Sequence, residues 1–167
     1  MERKRTDMKI STADKKYIGQ CLCGIIDTPQ AQSMKTFIQH GHITTYTHVL
    51  NVVCMSCLMD RNLHAHSDKH SLIIGAFLHD FYLYDWHDRS SNDGLHGFKH
   101  PLRALEKAQR QFALNPKEKN IIVSHMWPLT ITHIPKCREA AIVCLSDKIC
   151  ALYETVYKDK KMFDIDL

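Results

Sequence analysis

The doublet His79-Asp80 stands at the end of a stretch, residues 72–78, that holds only apolar residues and one glycine. Ionisable side chains are costly to bury in such a place, and an imidazole and a carboxylate on the buried side of a helix need a partner that balances them. A metal ion is the least costly such partner. The doublet therefore predicts a metal site, with further ligands elsewhere in the chain.

Two more ionisable residues fall on predicted buried stripes. His48 lies on the apolar stripe of one helix, and Asp147 shares a face with small residues of another. A lone inward histidine is more often a hydrogen-bonded core residue, and a lone inward aspartate often caps a helix or pairs with arginine. That interpretation does not suit the whole set. Burying the two carboxylates without a partner would be costly in free energy, and no arginine or lysine lies on these stripes to neutralise them. His100 and His125, at predicted helix ends, complete the candidate set.

The elements that must position these residues are predicted to be helices. Apolar residues recur at helical spacing almost throughout, the prolines at 29, 101 and 116 fall in first turns, and no segment forms a convincing strand. Long loops are predicted at 85–99 and 129–135. The predicted fold class is all-α, a bundle of six to seven helices at 12–26, 29–37, 45–64, 68–84, 100–113, 116–126 and 136–157.

The length of 167 residues predicts one domain with a well-buried core. We assign residues 12–157 to this domain, with a polar, flexible N-terminus at 1–11 and a polar C-terminal tail at 158–167. No run of about eighteen apolar residues occurs, and the basic N-terminus has no apolar stretch behind it. We therefore expect neither a membrane span nor a secretory signal, and a cytoplasmic protein.

The net charge and the cysteine content indicate which binding partners and which thiol state to expect. The formal net charge of +4 comes largely from the two termini, where charges are usually solvated, so nucleic acid is not a favoured partner. The seven cysteines are odd in number and mostly lie in apolar helical patterns, which predicts reduced, packed thiols, including Cys54 and Cys57. The first two helices lie outside most of the candidate set and are expected either to cover the core or to pair two copies into a homodimer.

The order of these residues resembles that of the HD-domain metal-dependent phosphohydrolases. Their pattern is a histidine, a His-Asp doublet, two further histidines in the two-metal members, and an aspartate on a late helix. This chain resembles it in Thr-His-Val-Leu-Asn-Val at 47–52, Phe-Leu-His-Asp at 77–80, His-Gly-Phe-Lys-His-Pro at 96–101, Ser-His-Met-Trp-Pro-Leu at 124–129 and Ser-Asp-Lys at 146–148. The resemblance covers roughly residues 36–157 and implies a single-domain helical bundle of the HD-domain type.

The resemblance also implies a binuclear site for two divalent transition metal ions. The implied ligands are His48, His79, Asp80 and Asp147 for the first ion, and His100, His125 and the shared Asp80 for the second. Asp80 is then the catalytic residue, because it bridges the ions that activate a water for attack at phosphorus. Four imidazoles and two carboxylates suit Fe, Mn, Zn, Co or Ni rather than a structural cysteine zinc site.

One position departs from the family pattern. Many phosphodiesterase members carry a lysine three residues after the doublet, which helps hold or protonate the substrate, and here that position is Leu83. Other side chains must then meet the phosphate or stack on a base, although such residues are more often ordinary surface charges or core anchors. The substrate-binding candidates are Lys99, Lys136, Arg138, Lys148, Trp127, His40, Asp85 and His87.

Three functions fit this set of ligands. The first is hydrolysis of a phosphomonoester or phosphodiester of a nucleotide or similar small metabolite by a metal-activated water. The second is a mixed-valence di-iron oxygenase, because some relatives with the same ligand order use O₂ to cleave carbon–carbon or carbon–phosphorus bonds. The third is a metal-stabilised binding module without turnover. We expect the hydrolase, acting on a soluble, nucleotide-like phosphorylated molecule.

Overall fold

The computed structural model describes residues 9–85, 96–157 and 162–165, and at His40 and His96 only the backbone. These residues form seven α-helices and one two-stranded hairpin, with a short 3₁₀ turn at Met34–Thr36. The elements are α1 Thr12–Leu22, α2 Pro29–Ser33, β1 Ile38–His40, β2 Ile43–Thr44, α3 Thr45–Asn62, α4 Lys69–Leu78, α5 His96–Gln109, α6 Pro116–Ser124 and α7 Arg138–Val156. The predicted all-α class is confirmed.

The helix starts follow from side chains that cap free backbone N–H groups. In five helices, the residue before the first turn accepts a hydrogen bond from the N–H three positions later. At α6, Glu118 also reaches back to the N–H of Asn115, which completes a capping box. The capping residues are Ser11, Thr28, Thr44, Asp68 and Asn115.

Four helices surround the centre of the molecule. Helix α3 packs against α4 and α7, and α6 packs against the same two helices from the other side, so the four form a closed ring. Helix α5 packs on α6, α1 packs on α4, and the hairpin lies against α3 and α7. The core is made of the aliphatic and aromatic residues that these helices turn inward, among them Val49, Leu72, Phe77, Ile121 and Val143, all fully buried or nearly so.

Several boundaries differ from the sequence expectation: α1 ends at Leu22 rather than at 26, α2 at Ser33 rather than at 37, and α5 at Gln109 rather than at 113. Residues 38–44 form a hairpin where a simple break is expected, with Ile38 paired to Thr44. Helix α4 ends at Leu78 rather than near Tyr84, and the ring of its C-cap residue His79 bonds the Ala76 carbonyl of the last turn. Helix α5 begins at His96, so Pro101 lies inside the helix rather than in its first turn. Most of the predicted 85–99 loop lies outside the described residues.

The first two helices cover the core, one of the two roles expected for them. Ile18 and Leu22 of α1 and Ala31 of α2 are fully buried. Near the C-terminus, Met162 and Phe163 are also buried, so the polar tail predicted for 158–167 contributes apolar side chains to the core. No helix among the described residues is both long and apolar enough to cross a membrane.

The cysteines are free thiols, as predicted. Burial raises the pKa of Cys54 and of Cys57 to about 12, which keeps both protonated at neutral pH. A protonated thiol is neither a good metal ligand nor a nucleophile. Their CxxC spacing in the middle of α3 therefore serves packing.

Candidate metal centre

The six predicted ligands meet at one end of the helix ring. The first turn of α3, the C-terminal ends of α4 and α6, the middle of α7 and the second turn of α5 each present one or two of them. Every one of the six is at most 8% exposed. The converging side chains are those of His48, His79, Asp80, His100, His125 and Asp147.

The Asp80 carboxylate divides these groups into two sets. Its Oδ2 atom lies 3.4 Å from His79 Nε2 and 3.8 Å from His48 Nε2. Its Oδ1 atom lies 3.2 Å from His100 Nε2 and 3.4 Å from His125 Nε2. One carboxylate thus faces two separate pairs of imidazole nitrogens with its two oxygens, the arrangement expected of a bridging ligand.

Asp147 closes the first of these sets. Its Oδ1 atom lies 3.1 Å from His48 Nε2 and 3.6 Å from His79 Nε2. The His48 and His79 rings are in contact, with centroids 5.5 Å apart. Helix α7 therefore supplies the second carboxylate to the side of the centre opposite His100 and His125.

Backbone carbonyls fix the tautomers of two of the histidines. His79 and His125 are the C-caps of α4 and α6, and the Nδ1–H of each donates to the carbonyl three residues back, Ala76 or Ile122, at 2.7 Å. With Nδ1 protonated, a neutral ring has its lone pair on Nε2, which is the atom aimed at the centre. Metal-ligating histidines are usually held in this way.

A close approach of α4 and α6 brings these two histidines together. A Cβ atom at Gly75 would lie 2.5 Å from the Ile121 side chain, so that side chain packs directly on the Gly75 backbone and the two helices come close together. His79 and His125 follow these two residues by one turn, and their rings are in contact with centroids 4.8 Å apart. Both helix C-termini, with their partial negative charge, therefore point at the same place, which favours a cation.

The unmet bonding needs of the centre fit a cation. His79 Nε2 and Asp80 Oδ1 are buried without a hydrogen-bond partner. His100 Nε2 and His125 Nε2 lie 2.8 Å apart, a separation at which two lone pairs repel unless a proton or a cation stands between them. Buried polar atoms are almost always bonded, so a cluster of lone pairs facing each other is the mark of a site built for positive charge.

The local electrostatics of the chain lead to the same conclusion. Burial lowers the pKa of His48, but hydrogen bonds to Asp147 and Glu154 outweigh it and raise that pKa well above its usual value. Burial likewise opposes protonation of His79, yet Asp80 and Asp147 raise its pKa to about 9. The same contacts overcome burial and hold the pKa values of both aspartates below their usual range. Without an ion, protons on histidine balance the carboxylates, and a bound cation would replace those protons.

Two overlapping groups of described residues could each hold an ion. One is His48, His79 and Asp147, and the other is His79, Asp80 and His125, with the ligand atoms of each group within 4.8 Å of one another. His100 adds its nitrogen to the second group through Asp80 Oδ1. Imidazole and carboxylate donors together suit divalent transition metals. The residues present therefore fit a metal centre.

A buried carboxylate behind the centre was not found from the sequence. Glu154, 2% exposed, accepts hydrogen bonds from His48 Nδ1 at 2.8 Å through Oε2 and from Asn51 Nδ2 at 2.8 Å through Oε1. The sequence spacing could have revealed this pair. Glu154 follows Asp147 by seven residues and Asn51 follows His48 by three, and both spacings place the two residues on one face of a helix. Glu154 fixes the His48 tautomer and turns its Nε2 lone pair toward the centre.

Replacing Glu154 by glutamine should weaken metal binding by about 10- to 100-fold. The amide can offer its oxygen to only one of the two donors, His48 or Asn51, so the His48 ring loses its orientation or Asn51 loses its partner. Competition of the purified protein with a chromophoric chelator measures this affinity. The matched control is Glu106→Gln, an exposed carboxylate on α5. Equal affinity in Glu154→Gln and in the control would contradict the role given to Glu154.

A second network, from the hairpin, orients Asp80. Gln39 of β1 donates from Nε2 to Asp80 Oδ2 at 2.7 Å. Its Oε1 accepts from the Tyr82 hydroxyl and, at 3.2 Å, from Thr45 Oγ1, which settles which end of the amide faces Asp80. The sequence suggested histidines of this segment instead. Its buried polar residue is Gln39, whereas His42 is exposed.

A cavity of about 570 Å³ opens onto the centre. Asp80, Asp147, His100 and His125 form its floor, and Gln39 and Lys148 add polar groups at the side. The remaining wall is apolar, formed by Gly97, Met126, Pro128, Leu129 and Ala151. The volume lies within the range usual for small-molecule sites.

Of the predicted substrate-binding residues, Lys148 lines this cavity. Its ammonium donates to the carbonyls of His125 at 2.9 Å and Cys144 at 3.2 Å, and to Cys144 Sγ at 3.3 Å. All three of its donors are therefore engaged within the chain, and Lys148 fastens α7 to the end of α6. Its predicted phosphate contact would require these bonds to break.

Two other predicted substrate-binding residues, Arg138 and Lys136, are not among the described lining residues of this cavity. Arg138, at the start of α7, donates to the Ala65 carbonyl and so closes the loop between α3 and α4, more than two turns away from Asp147. Lys136 is exposed, and its backbone N–H donates to Asn120. Arg138 is close to Asp147 in sequence, but more than two turns of α7 separate the two residues in space.

Three of the remaining candidates, Trp127, Asp85 and Lys99, are not among the described lining residues of the cavity. Trp127 is 41% exposed just before Pro128, Asp85 is exposed, and Lys99 is half-buried on α5. The side chain of His40, and His87 entirely, lie outside the described part of the chain. Leu83 is half-buried against the core, so the lysine of many phosphodiesterases has no counterpart at that position.

Comparison with known proteins identifies the family. A family model for the HD domain matches residues 45–152, well over half of the chain, and this range contains all six converging side chains. The comparisons with curated proteins and with solved structures gave no match. With its helical fold and its His/Asp cluster, the chain belongs to the HD-domain family.

Proposed function

We propose that the protein is a metal-dependent phosphohydrolase that cleaves a phosphomonoester or phosphodiester of a nucleotide or similar small metabolite. The observation that carries this proposal is the Asp80 carboxylate, whose two oxygens face two different pairs of histidine nitrogens. Such a divided carboxylate suits two ions rather than one. Membership of the HD-domain family supports a metal-dependent hydrolase in general terms.

The chain's own residues hold and orient the centre. His48, His79 and Asp147 would hold one ion, His100 and His125 the other, and Asp80 both. When bound, two such ions polarise a phosphoryl group and lower the pKa of a shared water toward neutrality. The hairpin and α7 keep this constellation rigid, since Gln39 fixes Asp80 and Glu154 fixes His48.

The cavity supports a compact substrate with few charges. Its apolar wall suits the body of a small ester, which leaves the phosphate to face the floor. Lys148 is the cation among the described lining residues, and its ammonium is already bonded within the chain. Extra phosphates would lie against Met126, Pro128 and Leu129 without partners, which is costly. We therefore expect monophosphate esters to be preferred over polyphosphates.

The proposal is tested by phosphate release from protein loaded with each of Mn²⁺, Fe²⁺, Co²⁺, Ni²⁺ and Zn²⁺ in turn. The panel consists of nucleoside mono- and triphosphates, sugar phosphates, and aryl phosphate mono- and diesters. We expect turnover that chelator abolishes and the ion restores, with kcat/KM for a monophosphate at least about tenfold above that for its triphosphate. Each reaction is repeated without oxygen.

Two outcomes would count against the proposal. Metal-loaded protein that releases no phosphate from any member of the panel would remove the hydrolase. A reaction that needs iron and O₂ and yields no free phosphate from the esters would replace it with the oxygenase. Hydrolysis of triphosphates as fast as monophosphates would contradict only the preference for a single phosphate.

A further inference from the structure

The outer face of α7 is apolar, which is unusual for the exposed side of a helix. Four of its residues, spaced four, three and four apart, are between 37% and 67% exposed. A surface helix normally carries charges on this side, and a helix that is apolar all round is typically a buried one. We call these four residues the α7 stripe: Leu145, Ile149, Leu152 and Val156.

The spacing of the α7 stripe is that of a helix–helix seam, and it is the same in both directions. Residues at intervals of four, three and four fall on one line of an α-helix, as the core positions of a coiled coil do. Because the intervals are symmetric, an antiparallel second copy would set Leu145 against Val156 and Ile149 against Leu152. A two-fold interface needs this kind of self-complementarity.

The apolar surface continues beyond the helix. Tyr157 follows the stripe at 48% exposure, and Trp127 and Leu129, at 41% and 45%, lie beside it, since the Trp127 carbonyl accepts from Cys144 and Leu129 shares the cavity wall with Ala151. Together these seven side chains present on the order of 600 Å² per copy, above the roughly 500 Å² per partner that a specific interface needs. A patch of that size stands at the upper end of what monomers normally leave exposed.

The charges near the α7 stripe do not oppose pairing of identical copies. Its four members are uncharged, and the neighbouring Lys148 directs its ammonium to the carbonyls of His125 and Cys144. In an antiparallel pair of identical helices, a charge at the centre of the seam would lie close to the same charge on the other copy. A seam without charges avoids this repulsion and is compatible with self-association.

We propose that two copies of the chain associate through the α7 stripe, with their α7 helices antiparallel. Sedimentation velocity of the full chain over micromolar concentrations should show a dimer. Leu152→Glu, which places an unpaired carboxylate at the centre of the seam, should raise the dimer dissociation constant at least about 30-fold. Leu63→Glu is the matched control, because Leu63 is 64% exposed at the end of α3 and should leave the dimer intact. Circular dichroism checks that both variants remain folded.

The direction and register of the two helices have their own test. Ile149→Lys should be monomeric alone, and mixing it with Leu152→Glu should restore a dimer, because position 149 of one copy faces position 152 of the other. Mixing Val156→Lys with Leu152→Glu should not restore it, because those positions do not face each other. Rescue only by the first mixture would confirm the antiparallel pairing.

Two results would overturn the proposal. A chain that remains monomeric throughout the concentration range would leave the stripe to a different protein or to a lipid surface. A dimer that persists in Leu152→Glu would place the interface elsewhere. Neither measurement depends on metal or on turnover.

Discussion

Asp80→Ala is expected to lose both ions and to lower turnover by about a thousandfold or more. Among the described residues, Asp80 is the carboxylate that faces both histidine pairs, at 3.2–3.8 Å from four imidazole nitrogens, so its removal would deprive each proposed ion of a charged ligand. It also releases Gln39, whose amide otherwise bonds Asp80 Oδ2 at 2.7 Å. Metal content after gel filtration and phosphate release from the best substrate measure the two effects.

The control for this variant is Asp27→Asn, which removes an exposed carboxylate that belongs neither to the six converging side chains nor to the described lining of the cavity. Asp80→Asn adds a second comparison, because it keeps the shape of the side chain and removes its charge. We expect Asp80→Asn to resemble the alanine variant in metal content. Full occupancy and full rate in Asp80→Ala would contradict the assignment of the centre.

His125→Ala is expected to keep one ion and lose the other, with turnover again reduced by about a hundredfold or more. The group formed by His48, His79 and Asp147 remains complete in this variant, whereas the oxygen of Asp80 that faces His100 loses one of its two imidazole neighbours. Isothermal titration of metal-free protein should therefore show one site instead of two.

His100→Ala should behave like His125→Ala, and the double variant should be no worse than either, because both histidines serve the same ion. The control is His70→Ala, since the His70 side chain is 60% exposed on α4. Two sites of unchanged affinity in His125→Ala would exclude a second ion at this pair. Loss of both sites would mean that the centre binds its ions as a single unit.

The convergence of the candidate ligands could be predicted from the sequence because burial makes ionisable residues conspicuous. His48, His79 and Asp147 fall on apolar stripes where a charge without a partner is costly, and all are buried and in contact. The starts of these helices could also be predicted from the sequence, because Thr44 and Asn115 carry side chains that cap a helix N-terminus. Family resemblance supplied the order of the residues, and the family model matches the range 45–152 in which they lie.

The helix ends, and the residues that orient the candidate ligands, were harder to predict from the sequence. Helix α4 stops at Leu78, although the apolar residues that give the helical period continue as far as Leu83, so periodicity does not locate this end. The hairpin that delivers Gln39 is stabilised by pairing across a tight turn and by contacts with α3 and α7, none of which shows as alternation over so few residues.

The residues that line the cavity were harder to predict, because distance along the chain is a poor guide to distance in a bundle. Arg138 precedes Asp147 on the same helix, yet a helix rises 1.5 Å per residue and carries it to the far end of the ring. Lys148, next to Asp147, does reach the cavity, but backbone carbonyls already occupy its ammonium. The fold decides how many hydrogen-bond donors of a charged side chain remain free to bind a ligand.

Anomalous diffraction from crystals grown with Mn²⁺ tests the central claim most directly, because it locates ions without reference to activity. We expect two peaks inside the helix ring, one on each side of the Asp80 carboxylate, the first beside His48 and Asp147 and the second beside His100 and His125. A single peak, or none among these six side chains, would contradict the account.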